Sequence, residues 1–294
     1  MDWFFPVQAY FMKKNKRNGK SSAKRKSTNR KRTPRKTNRF LRFIHRTPSW
    51  ILWISGLVIA CLYIFILYYI FVGPFSIRWR AQFGEVPEPV GFEIRGIDIS
   101  HYQKKIDWAA LKESEVGGYP LRFVICKATE GLTINDSFYK DNIYHARRMN
   151  IITGAYHFYI PGSNARRQAE YYIKNVELRQ GDLPPILDVE KTGSLSDMKL
   201  QADVLEWLKI VENHYGVRPI IYASYDFKRS HLNTPELNKY PFWVARYYKD
   251  ELGYNGPWIM WQYTDIGTID GIKGKVDCNV FNGSLHDLLQ LCIK

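Results

Sequence analysis

Acidic residues are almost missing from the first part of this chain. Of its 294 residues, positions 1–46 hold sixteen Lys or Arg and one acid, Asp2, while positions 47–294 hold 27 bases and 27 acids. The formal charge of +15 therefore belongs to one segment. The remainder lacks the one-sided basic surface that a nucleic-acid partner selects for. Charge is missing altogether from positions 50–72 (WILWISGLVIACLYIFILYYIFV). Cysteine is scarce: Cys61, Cys126, Cys278 and Cys292 form no CxxC pair and no even ladder of spacings. That argues against a zinc ribbon and against a disulfide scaffold. A single Cys278–Cys292 bridge stays open at this level, while Cys61 and Cys126 sit in apolar runs and read as small buried hydrophobes. No HExxH, no acidic calcium loop and no glycine-rich nucleotide loop occurs, so no metal or cofactor is expected.

These contrasts divide the chain into four segments. Residues 1–49 read as a basic tail too poor in apolar side chains to order itself. Such a tail is solvated in the cytoplasm and gains about 1 kcal/mol per charge near anionic lipid headgroups; no specific nucleic acid is expected. Residues 50–72 read as a transmembrane signal anchor. At about 1.5 Å per residue they reach about 35 Å, against a hydrocarbon core of about 30 Å. Trp50 and Trp53 suit one interface, Tyr68 and Tyr69 the other. The run is longer than a signal-peptide core, and no small-residue cleavage site follows it. The basic residues ahead of it place the N-terminus in the cytoplasm. Everything after it is then expected in the periplasm or outside a bacterial inner membrane. Residues 73–90 form a linker with Pro87 and Pro89, and residues 91–294 form the exported domain.

In that domain short apolar runs alternate with amphipathic stretches. The strand candidates are 94–100, 122–129, 151–159, 184–190, 218–224, 241–247 and 258–264, with a short one at 275–281. Apolar residues on both faces suit strands covered on both sides. Helices are expected within 107–116 (capped by Asp107 or Ser114), 136–149, 163–178 and 196–215. The stripes are Tyr139, Ile143, Ala146; Ala165, Ala169, Tyr172, Val176; and Ala202, Leu205, Leu208. Ser196 is placed to cap the last helix and Gly216 to stop it. After the fifth strand, helices become short or vanish. The pattern predicts an α/β fold, an irregular (β/α)-barrel of TIM type with about eight strands and five helices. An open doubly wound sheet is the alternative, weakened by the missing nucleotide loop.

In such a barrel the site is built at the C-terminal ends of strands. Acids stand near strand ends at Asp98, at Asp188 and Glu190, and at Asp277. Asp188 and Glu190 are two apart, so on a strand they share a face with Cα atoms about 6.5–7 Å apart. Carboxylates sharing a site cannot all ionise freely, which separates an acid from a base. Aromatics crowd the same ends: Tyr102, Tyr156, Phe158, Tyr222, Trp243, Tyr247, Trp261 and Tyr263. Carboxylates ringed by aromatics suit carbohydrate and glycoside hydrolysis. Each element alone is weak: a D-x-E triplet is common, a strand-end Asp often caps a helix, and His101 and His157 are as readily structural as catalytic.

Taken in order, the pieces resemble the glycoside hydrolase family 25 lysozymes, the Chalaropsis-type N-acetylmuramidases. The runs that carry the resemblance are GIDISHYQ (96–103), IDW (106–108), KATEG (127–131), GAYHFY (154–159), GDLPPILDVE (181–190), IIYAS (220–224), FWVARY (242–247), MWQYTDIGTIDGI (260–272) and VDCNVFNG (276–283). The resemblance implies cleavage of the β-1,4 bond between N-acetylmuramic acid and N-acetylglucosamine in peptidoglycan. It implies Glu190 as general acid/base, Asp188 orienting the substrate's 2-acetamido group, and Asp98 and Asp277 as further acids. Tyr156, Tyr222, Trp243, Gln262 and Tyr102 are implied sugar contacts. Two positions depart from the family pattern. Lys104 and Asn150 stand where glycine is frequent, and the loop after the first strand is expected to differ, because Lys tolerates a left-handed backbone less readily than Asn. Two other readings remain at this level: a non-catalytic peptidoglycan-binding protein, and a chitinase-like glycosidase, whose DxxDxDxE this chain's LPPILDVE matches only in its last acids.

Overall fold

The computed structural model describes residues 48–68 and 87–294. The basic tail, the end of the apolar run and most of the linker lie outside the described residues. Helix α1 (Ser49–Leu67) is apolar on all sides, with a mean hydropathy of 2.5 and no burial in its most apolar stretch. Its 19 residues give a length of about 28 Å. By length and composition alone it is able to cross a bilayer.

The second unit is built on ten strands: β1 (Arg95–Ile99), β2 (Glu115–Val116), β3 (Tyr119–Glu130), β4 (Ile134–Asn135), β5 (Ile152–Phe158), β6 (Ile186–Asp188), β7 (Ile220–Ser224), β8 (Phe242–Ala245), β9 (Met260–Gly267) and β10 (Val276–Phe281). Eight of them close a barrel in the order β1, β10, β9, β8, β7, β6, β5, β3, with β3 returning to β1. The two-residue strands β2 and β4 pair only with β3. All eight expected strands are present. Neighbours are parallel from β1 through β3 to β9, but β10 is antiparallel to both β9 and β1. This single reversed strand departs from an all-parallel barrel.

Strand alternation sorts the side chains into two layers. Ile97, Ile99, Val124, Cys126, Ala155, Leu187, Ile221 and Val244 belong to the outer core shared with the helices. Phe123, Ile125, Ile186, Ile220, Tyr222, Trp243 and Met260 fill the interior. Gly96 lies under Phe123, and a Cβ there would meet the ring at 2.3 Å.

The helices are α2 (Trp108–Lys112), α3 (Tyr139–Arg148), α4 (Ala165–Asn175), α5 (Asp197–Tyr215), α6 (Tyr225–His231) and α7 (Leu285–Leu291). Asp107 caps α2 through the N–H groups of Ala109 and Ala110. Ser196 caps α5, and Gly216 ends it at φ 72. The stripes expected on α3 and α4 are buried. The one expected on α5 is rotated: Ala202 is exposed, and the buried side is Leu200, Val204, Trp207, Leu208 and Val211. Larger apolar side chains won the inward face there. Leu288 and Cys292, at the last helix, join the interior cluster from the end of the barrel where β6, β7 and β8 begin. Backbone bonds Gly181 N to Ile293 O and Ile293 N to Asp182 O, both 2.9 Å, pin that segment. Cys278 belongs to the outer layer and Cys292 to the interior plug, and both are free thiols. The Cys278–Cys292 bridge left open by the sequence is thus not made.

Lys104 and Asn150 both carry φ 55. The loop after β1 therefore keeps a glycine-like backbone despite its lysine, contrary to the expected difference. At Lys104 ψ is −137, a region that glycine alone enters freely and that costs other residues about 1–3 kcal/mol. Lys104→Gly relieves that strain against glycine's larger unfolded-state entropy of about 0.5–1 kcal/mol. Thermal unfolding of the full chain is expected to rise by about 2–4 °C; an unchanged or lower midpoint contradicts the strain.

Candidate functional site

Four acids converge at the barrel end where the parallel strands finish. Asp98 is next to last in β1, Asp188 is last in β6, and Glu190 follows two residues on. Asp277 is the second residue of β10, not at its C-terminal end. It reaches the same mouth because β10 runs backwards and pairs Asp98 directly with Asp277. The D-x-E pair is also arranged differently from two residues within a strand. β6 stops at Asp188, although the N–H of the next residue, Val189, is bonded to Tyr222 O at 3.0 Å. Asp188 is buried and Glu190 is exposed at the rim.

Asp98 sits in a built cradle. Its Oδ2 accepts from Gln262 Nε2 at 2.7 Å and from Asn279 Nδ2 at 2.8 Å. Gln262 Oε1 accepts in turn from the hydroxyls of Tyr222 at 2.6 Å and Tyr247 at 2.7 Å. Asn279 Oδ1 accepts from Trp243 Nε1 at 2.8 Å. Burial raises the Asp98 pKa to about 6, with Asn279 and Gln262 holding it down. Burial also raises Asp277, to about 9, and the neighbouring Asp98 charge adds to the effect. The pair bonds to each other so that Asp277 keeps the proton and Asp98 carries the charge near neutral pH.

Asp188 is pushed well above the usual carboxylate range, by burial first and then by the charges of Glu190 and Asp98. Its Oδ1 is buried without a partner among the described residues. The protein mass at the rim raises Glu190 as well, against the pull of Lys191 and Lys127. Lys127 is itself bound to Glu130 at 2.5 Å.

The expected sugar contacts separate into three groups. Tyr156 is half-buried, and its hydroxyl's pKa is raised well above the usual value, by burial first and then by the charge of Asp188. Tyr222, Trp243 and Gln262 are buried, Trp243 to 2% exposure. Their polar atoms serve the Asp98 cradle, and Tyr222 packs edge-on to Trp243 at 4.5 Å. The structure thus places these three, expected as sugar contacts, at buried positions with their polar atoms engaged within the protein. Tyr102 stands apart, 77% exposed against the His101 ring. Asn279 and Tyr247 were not singled out as site residues. Asn279 had a signal, since it lies two residues from Asp277 and so shares its face.

Both histidines are engaged within the protein. His157 is buried with its pKa lowered to about 4, between Thr129 Oγ1 at 2.7 Å and Gln168 Oε1 at 3.2 Å. His101 binds the buried Asp136 at 2.9 Å. Among the described residues, no group of three or more His, Cys, Asp or Glu side chains is placed to hold a metal ion.

Both Asp98 and Asp277 bind protons more tightly folded than unfolded. Their stabilising contribution is complete below about pH 4 and is lost as pH rises through about 6 and then about 9. Asp277→Asn removes the later step. Melting curves of the variant are expected to fall less between pH 6 and pH 9 than those of the wild type; parallel falls would remove Asp277 as the proton holder.

A cluster of acids with raised pKa, one of them at a rim, suits proton transfer to a sugar-ring leaving group. Comparison with known proteins points the same way. The family model "Glycosyl hydrolases family 25" matches residues 97–272. The chain is 40% identical over 201 residues to the protein YegX of Escherichia coli strain K12, covering 68% of this chain and 74% of that one. It is 32% identical over 220 residues to Lysozyme M1 of Streptomyces globisporus, covering 67% and 71%. The structure of a family 25 glycosyl hydrolase from Bacillus anthracis superposes with a TM-score of 0.62 at 27% identity, covering 69% of this chain and 95% of that one.

Proposed function

The chain belongs to glycosyl hydrolases family 25 and is a glycoside hydrolase, and from that premise we propose that it is a membrane-anchored N-acetylmuramidase. Its substrate is peptidoglycan, and the bond cut is the β-1,4 link between N-acetylmuramic acid and N-acetylglucosamine. The observation that carries the reading is the convergence of Asp98, Asp188, Glu190 and Asp277 at one barrel mouth, with all four pKa values raised.

Glu190 is the proton donor. It alone of the four is exposed, and its raised pKa keeps a fraction protonated when an ordinary glutamate is ionised. As the glycosidic C–O bond breaks, Glu190 gives its proton to the departing oxygen. The carbonyl oxygen of the substrate's own 2-acetamido group closes onto C1. Water then opens that ring, its proton returning to Glu190, and the configuration is retained. Asp188 orients the acetamido group, its unpartnered Oδ1 serving the amide N–H. Asp98 and Asp277 place negative charge and a held proton beside the developing oxocarbenium.

Residues 50–72 form the signal anchor, with the N-terminus cytoplasmic and the barrel on the wall side of a bacterial inner membrane. The basic tail rests against anionic headgroups. Support comes from helix α1, apolar and uncharged throughout, and from the excess of bases ahead of it.

Mass spectrometry of products from defined glycan chains tests the bond, since N-acetylmuramic acid is expected at every new reducing end. Glu190→Gln is expected to lower kcat by about 10²–10⁴-fold with unchanged melting; undiminished cleavage ends its role as donor. Wild-type activity is expected to fall as pH rises through the Glu190 pKa, and a flat profile from acid to alkaline pH contradicts the assignment.

A further inference from the structure

A groove of about 870 Å³ lies beside the β1 side of the mouth. Its walls come from the turn after β1, the start of α2, one side of α3 and the loop before β10. Short links tie it to the acids. Gln103, in the groove wall, donates its side-chain N–H to Lys275 O at 3.0 Å, and Lys275 is two residues from Asp277. Ser100, which caps the turn, is two residues from Asp98.

Lys104, Lys105 and Lys273 line this groove. None of them forms an ion pair among the described residues. The two carboxylates of the wall are engaged elsewhere: Asp107 accepts from the N–H groups of Ala109 and Ala110, and Asp141 faces His145 Nε2 at 3.6 Å. The groove therefore carries three ammonium groups against two carboxylates, and none of the three is ion-paired among the described residues. The strained backbone at Lys104 falls at this place. No side-chain bond among the described residues accounts for a lysine there, where glycine would fit without strain. Strain kept at a groove beside an active mouth signals a ligand for the side chain that carries it.

Resting on the reading of the chain as a peptidoglycan hydrolase, we propose that this groove binds the acidic peptide carried by the muramic acid residues. The free carboxylates of that peptide match the three lysines. The enzyme thereby favours peptide-bearing glycan over the bare polymer, and added salt weakens the preference because the lysines face solvent.

The test uses the full chain in detergent and two substrates from one preparation: peptide-bearing glycan chains, and the same chains stripped by an amidase. The wild type is expected to show about ten-fold higher kcat/KM on the peptide-bearing chains. A Lys105→Gln, Lys273→Gln double variant is expected to lose that advantage through KM, with its rate on bare chains unchanged. Lys104→Gly, which relieves backbone strain, is expected to lower the advantage while raising the melting temperature. Equal wild-type rates on both substrates overturn the proposal, as does a double variant that keeps the preference or slows equally on both. Should neither substrate be cut, the hydrolase reading fails separately. Calorimetric titration with the amidase-released peptide then decides the groove: binding lost in the double variant upholds it, and no binding to the wild type overturns it.

Discussion

Asp98 is a carboxylate removed from water, and much of the barrel's upper half answers that constraint. An ionised group in such a place is costly unless donors surround it. Two side-chain amides supply them, and each amide is oriented by a group with no choice of role or by a pair that agrees. The Trp243 indole only donates, so Asn279 turns its oxygen to the indole and its N–H₂ to Asp98. The hydroxyls of Tyr222 and Tyr247 do the same for Gln262. One carboxylate thereby ties together β1, β7, β8, β9 and β10 at a single level of the barrel.

The reversed strand adds a second consequence. By running against its neighbours, β10 sets Asp277 opposite Asp98, and two acids at that separation share one proton. The mouth then contains carboxyl groups in different states: Asp98 charged in its cradle, Asp277 protonated, Asp188 buried, and Glu190 at the rim. Environment, more than residue type, sets these four chemically similar side chains apart.

Much of this was readable in the residues. Strands apolar on both faces, helix caps at Asp107 and Ser196, and the stop at Gly216 are local signals, and each appears where expected. The acids were legible because they stand near strand ends. The depth of a side chain was not: Tyr222, Trp243 and Gln262 look like sugar contacts by type, but strand twist and stagger put them below the surface. The reversal of β10 had a signal that motif reading passes over. The gap between Gly267 and Val276 is shorter than the dozen or more residues a parallel crossover needs. The outer placement of Cys278 against the interior placement of Cys292 follows from the same alternation, once strand and plug are assigned to layers.

Ring closure joins the first strand to the last. β1 takes hydrogen bonds from β3 on one side and from β10 on the other, across about 180 residues of intervening chain. During synthesis, which makes β1 first, that strand therefore has one bare edge until β10 is made. Long-range pairing of this kind is slow, and an uncovered edge invites association between neighbouring nascent chains. The last strand and the helix behind it act as a completion lock: a message truncated by thirty codons yields an open trough in place of a shortened barrel.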